Sequence, residues 1–195
     1  MKKIEFVFRE LLFQCLEKGN RRFTQLGLSK ELGLSTSMIS FALKPLKKMN
    51  AVEIRQRGFS VVEPRKVLYH WASVRNIEKD IVYSTRAEMP VVEIEKAMPD
   101  DIVYGAYSAY RIKFKDAPAD YSEVYVYGDE TLKKRFPEAK GPANIFVLKK
   151  DISMERYGKL ATMAQAFVDL WNIKTWYASD YLKALEARIN ERILE

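Results

Sequence analysis

Apolar residues recur at intervals of three and four along the first eighteen positions, with Ile4, Phe8, Leu11, Leu12 and Cys15 on one side of a 3.6-residue repeat. That spacing predicts a helix from Ile4 to about Lys18, stopped by Gly19 and Asn20. Phe23 predicts a short edge strand, and Thr24 caps a second helix over about Gln25 to Leu32. Gly33 supplies the tight turn of a helix-turn-helix. Ser35 is the N-cap of a third helix whose inward row reads Ile39, Ala42 or Leu43, Leu46 and Met49. The other face of that helix carries Thr36, Ser37, Ser40, Phe41, Lys44, Lys47 and Lys48. Pro45 lies well inside it and predicts a kink, because it has no N–H for the carbonyl of Phe41. Asn50 suits a left-handed C-cap. Two β-prone runs, Ala51 to Arg55 and Phe59 to Val62, flank Gln56-Arg57-Gly58 and predict a hairpin with Arg55 and Arg57 near its tip.

Beyond this hairpin the pattern changes. A linker around Glu63 to Lys66, marked by Pro64, leads into a helix from Val67 to about Asn76. Short strands at Ile81 to Arg86, Glu123 to Tyr127 and Asn144 to Leu148 alternate with helices at Pro90 to Met98, Ala106 to Lys113 and Glu130 to Phe136. Gly105 turns the chain into the second of these helices, and two more helices close the sequence. Such alternation predicts a mixed α/β or α+β sheet domain. The expected division is therefore 1–66 and 67–195. Tyrosine is concentrated in the second part, at Tyr104, Tyr107, Tyr110, Tyr121, Tyr125 and Tyr127, where core and edge packing is the expected role.

Charge sharpens the division. The 195 residues carry +7 overall, and residues 1–66 hold 14 Lys and Arg against 6 Asp and Glu, or +8. The remainder, 19 basic against 20 acidic, is at −1. A small basic domain joined to a near-neutral one is the arrangement of a polyanion-binding module attached to a domain with another task. Near the C-terminus the longest uncharged stretch, Leu160 to Val168, has nine residues, well below the ~18 that span a bilayer. Glu5, Arg9 and Glu10 interrupt the apolar start, so the expected location is the cytoplasm, with no export signal and no membrane partner.

Reactive chemistry is sparse. One cysteine and one histidine, Cys15 and His70, permit neither an intrachain disulfide nor the usual zinc ligand set. G-x-S-x-G, Walker A and G-x-G-x-x-G motifs do not occur, so no catalytic residue, metal or cofactor is expected. Cys15, in the apolar row of the first helix, reads as a small core hydrophobe.

Helix, short strand, helix, turn, helix and hairpin within 62 residues is the order of a winged helix-turn-helix. The segment LGLSTSMISFALKPLKKMNAVEI, Leu32 to Ile54, resembles the recognition-helix region of bacterial and archaeal winged-helix regulators. That resemblance implies a third helix, Ser35 to Lys48, in the major groove of double-stranded DNA and a wing on the flanking backbone. Ser35 at the helix start counts among the expected DNA-binding residues, Thr36, Ser37 and Ser40 would then meet base edges or phosphates, and Lys44, Lys47, Lys48, Arg55 and Arg57 would meet phosphates. Phe41 is open to two readings, contact with a thymine methyl or packing against the second domain.

A second resemblance extends over nearly the whole chain. YGAYSAY (Tyr104 to Tyr110), SEVYVYG (Ser122 to Gly128) and AQAFVDLWN (Ala164 to Asn172), followed by a terminal helix, are similar to the C-terminal domain of AbiEi-type antitoxins and their stand-alone archaeal relatives. The resemblance implies an α+β chain in which a winged helix-turn-helix precedes a mixed domain similar to a degenerate nucleotidyltransferase fold. It also implies a repressor of its own operon and opposition to a toxin protein. A homodimer and a cognate toxin stand beside DNA as the partner classes left open. Nucleotidyl transfer is the competing function, since such enzymes hold two Mg2+ ions with carboxylates one residue apart on a strand. Here Glu123 has Tyr125 at the partner position, and Gly105 and Ser108 are three apart rather than adjacent. Asp169 reads as a buried hydrogen-bonded acid or a cap. A toxin-neutralising interaction module is the remaining alternative. The expectation is a DNA-binding regulator without enzymatic activity.

Overall fold

A computed structural model describes residues 1–194. The chain is α+β, with eight α-helices and two small sheets among the described residues, and it divides into two compact units. The first comprises Met1–Arg75 together with the chain end from Ala187, and the second comprises Asn76–Glu186. No helix among the described residues is long and apolar enough to cross a membrane.

In the first unit, the apolar row near the start becomes helix α1 (Lys3–Glu17), which buries Val7, Phe8, Leu11, Leu12, Cys15 and Leu16. Burial pushes the Cys15 thiol up to about 12, well away from thiolate chemistry. Strand β1 (Arg22–Phe23) follows, and then α2 (Gln25–Leu32), whose N-cap Thr24 accepts the Gly27 N–H at 3.0 Å. Gly33 takes a left-handed φ of 62° and ends α2. Helix α3 (Thr36–Lys48) buries Ile39, Ala42, Leu43 and Leu46, while Met49 is only half-buried. The helix runs on through Pro45 to Lys48 although Pro45 offers no N–H to the Phe41 carbonyl, and Asn50 turns left-handed at φ 55°. Strands β2 (Val52–Arg55) and β3 (Gly58–Val61) form an antiparallel hairpin closed by the Arg55–Gly58 pair, and β1 adds to the far side of β3.

Gly58 is the residue this hairpin requires. Its φ is +149°, and a Cβ there would come within 2.2 Å of the Phe23 carbonyl oxygen on β1. Since that neighbour is backbone, it cannot yield as a flexible side chain would. Gly58→Ala is expected to lower stability by about 1–3 kcal/mol, read as a fall in melting temperature, and an unchanged melting curve would contradict the close approach.

The expected boundary after Lys66 is corrected by helix α4 (Pro64–Val74), which packs against α1 within the first unit. Pro64 is not a linker residue but the first residue of this helix, where a missing N–H costs nothing. Trp71, fully buried, donates its indole N–H to Glu5 Oε2 at 3.0 Å, and Arg75 Nη1 lies 3.7 Å from the same oxygen. Arg21 Nη2 likewise donates to the Ile193 carbonyl at 2.6 Å, which ties in the end of helix α8 (Ala178–Leu194).

In the second unit, strands β4 (Ile81–Thr85), β5 (Val103–Tyr104), β6 (Val124–Gly128) and β7 (Ile145–Lys149) form one sheet in the order β4-β7-β6-β5. The central pair β6 and β7 is parallel and both outer pairings are antiparallel. The two-residue β5 was not among the expected strands. Every residue of β6 is buried, as a strand covered on both faces must be. Val124 and Val126 join Ile145, Val147 and Ile94 of helix α5 (Val91–Lys96) in one core cluster. On the opposite face, Tyr127 OH donates to Asp169 of helix α7 (Met163–Trp171) and accepts from Gln165 Nε2 at 2.7 Å. Asp169 is thus the buried hydrogen-bonded acid that its setting suggested. Helix α6 (Ala106–Phe114) begins after Gly105 and buries Tyr107 and Tyr110. Tyr107 packs within 5.4 Å of Tyr121, Tyr177 and Tyr181, so these tyrosines work as core material.

Candidate functional site

The outward side of α3 follows from its own periodicity. With Ile39, Ala42, Leu43 and Leu46 turned inward, a 3.6-residue repeat gathers Ser37, Phe41, Lys44 and Lys48 into one row and Thr36, Ser40 and Lys47 into an adjacent one. All of these residues are exposed except Ser40, which is half-buried. Ser35 differs from its neighbours: its hydroxyl accepts the Met38 N–H at 3.2 Å and is committed to capping the helix. Phe41 stands 55% exposed, with Lys44 Nζ 5.9 Å from its ring centroid, so the cation and the ring present a joint surface. The N-terminal turn of α3 therefore offers small hydroxyls, its middle an aromatic ring, and its C-terminal turn cations.

The hairpin supplies the other expected residues. Arg55 and Glu53 form an exposed pair at 3.1 Å, and Arg57 sits in the two-residue turn. A groove of about 190 Å³ runs beside that turn and is lined by Arg22, Arg55, Arg57, Gly58 and Ser60, among others. Arg22 and Ser60 were not singled out from the sequence. They meet only because Arg22 on β1 pairs with Ser60 on β3, a long-range register that no local pattern displays. By composition the first unit holds 17 Lys and Arg against 8 Asp and Glu, and the second 16 against 18. The positive balance stays in the unit that carries α3 and the hairpin.

Within the second unit, Glu123 and Tyr125 line a groove of about 470 Å³ with Phe146, Lys174 and Thr175. Glu123 accepts a hydrogen bond from Tyr177, and Tyr125 stacks on Phe146 with centroids 4.6 Å apart. Burial raises the Tyr125 hydroxyl above the ordinary tyrosine range. Ser108 is fully buried in α6, away from any such groove. Among the described residues no three His, Cys, Asp or Glu side chains gather closely enough to hold a metal ion together. No protein family, curated protein or solved structure matches this chain.

Proposed function

We propose that the chain is a sequence-specific DNA-binding transcriptional regulator, a repressor of the antitoxin-like kind. Its first unit acts as a winged helix-turn-helix, with α3 in the major groove and the β2–β3 hairpin as the wing. The second unit, read as a degenerate nucleotidyltransferase-like domain in the cytoplasm, serves self-association or a protein partner such as a toxin and carries no catalysis. The observation that supports this reading most is the composition of one helix face. Ser37, Ser40, Phe41, Lys44 and Lys48 share the solvent side of the third helix of a helix-turn-helix, in the unit that holds the positive charge. Hydroxyls and an aromatic edge suit base contact, and lysines one and two turns further suit phosphates. For the second unit, the reading draws on Glu123, which already receives the Tyr177 hydroxyl and has an aromatic neighbour in place of a second carboxylate.

Fluorescence anisotropy of the protein with a duplex from its own upstream region and with a scrambled duplex tests the proposal. A preference above about 4 kcal/mol for the native duplex, with steep salt dependence, is the expected outcome. Ser37→Ala or Ser40→Ala is expected to relax the preference at one base position by about 1–3 kcal/mol. Equal, weak binding to both duplexes would overturn the reading, and an unchanged base preference in both variants would remove the two serines from readout.

A further inference from the structure

The sheet of the second unit carries a stack of rings that stops one strand early. Tyr125 on β6 pairs with Phe146 on β7, and Phe146 pairs with Ser84 on β4, so the three project from one face in a single row. The Tyr125 and Phe146 rings lie 4.6 Å apart and within 10° of parallel, close to the spacing of neighbouring strands. They stand as successive plates along the row. The third position holds Ser84, which is exposed and has no ring to continue the stack. Phe146 is half-buried, and Tyr125 is its only ring contact among the described residues. A bulge between Ile81 and Tyr83 brings Ile81 onto the same face as Ser84, since Ile81 pairs with Leu148, two residues beyond Phe146.

The groove of about 470 Å³ has Ile81, Phe146 and Tyr125 in its lining, and its size is that of a small-molecule site. Its charged groups are the carboxylates of Glu78 and Glu123 and the ammonium of Lys174. Lys174 Nζ is paired with Glu78 at 3.0 Å. Glu123 is left without an ion-pair partner among the described residues: its Oε2 accepts from the Tyr177 hydroxyl, and its Oε1 has no donor. It stands two residues before Tyr125 and so belongs to the same face.

We propose that this groove binds a planar aromatic amine, a small molecule that is cationic at neutral pH. Its ring stacks on the side of Phe146 turned toward β4, as the third plate of the row, and its ammonium, carried on a short chain, donates to Glu123. An anionic ring is disfavoured, because it meets the Glu123 carboxylate while Lys174 is already neutralised. The site lies wholly in the second unit and does not rest on the DNA-binding reading.

Calorimetric titration of the full chain with tryptamine tests the site. Indole-3-acetate, the same ring with a negative charge, and butylamine, the charge without the ring, are the controls. Saturable binding of tryptamine and of neither control is expected, with NMR amide shifts centred on Ser84, Glu123 and Phe146. Glu123→Gln is expected to weaken tryptamine binding about tenfold, the value of one hydrogen bond to a charged group. Phe146→Leu is expected to weaken it about fivefold by removing the stacking partner. Ser84→Trp supplies the third plate from the protein itself and is expected to abolish binding; the position is exposed, so the melting curve should stay that of wild type. No saturable binding of tryptamine, or equal binding of indole-3-acetate, would overturn the proposal. Full affinity in either Phe146→Leu or a folded Ser84→Trp would do the same.

Discussion

Trp71→Ala is expected to destabilise the first unit by about 3–5 kcal/mol, the range for removing a fully buried tryptophan and leaving a cavity. Trp71 has no solvent exposure, and its indole N–H is bonded to Glu5 at 3.0 Å. Truncation therefore does two things at once. It opens a void between α1 and α4, and it takes a donor from a carboxylate that is itself 2% exposed, leaving Arg75 at 3.7 Å and the Lys2 backbone N–H at 2.9 Å to hold it. Against a total stability of about 5–15 kcal/mol for a domain, such a loss is a large fraction. Urea denaturation followed by far-UV circular dichroism should show the midpoint falling by about 2 M, given a slope near 2 kcal/mol/M. Trp71→Phe keeps most of the packing and removes only the N–H, and about 1–3 kcal/mol is expected from it. A loss below about 1 kcal/mol in the alanine variant would mean that α4 does not depend on this anchor.

The Glu5–Trp71 contact also shows where sequence reasoning reaches its limit. The caps at Thr24 and Ser35, the left-handed Gly33 and Asn50, and the hairpin about Gln56-Arg57 all lie where local rules put them, because each depends on residues within about four positions. Partners 66 residues apart obey no such rule, so Pro64 looked like a linker and the unit boundary fell nine residues too early. The same reasoning accounts for β5. Two residues carry no periodicity, and Val103–Tyr104 become a strand only because Tyr127 and Val126 lie alongside. In the candidate site, the face of α3 was legible because a helix displays its faces through spacing alone. Arg22 and Ser60 were not, since a sheet brings residues together by register between strands distant in sequence.

Replacing Lys44, Lys47 and Lys48 together by alanine is expected to flatten the salt dependence of DNA binding more than any change outside α3. Each phosphate neutralised by a cation contributes about 0.9 to the slope of log affinity against log salt, so losing three contacts should reduce that slope by about 2.7. All three lysines are exposed on α3, and removing exposed charges there leaves the buried row of Ile39, Ala42, Leu43 and Leu46 untouched, so the fold should persist. The affinity lost should be largest at low salt and should fall equally on native and scrambled duplexes, because phosphates carry no sequence information. Ser40→Ala should show the opposite signature, an altered base preference with the slope preserved. Anisotropy titrations at four or five salt concentrations distinguish the two. A slope unchanged in the triple variant would mean that the lysines serve solubility alone, and the charge that meets a nucleic acid would have to be sought at the arginines of the hairpin.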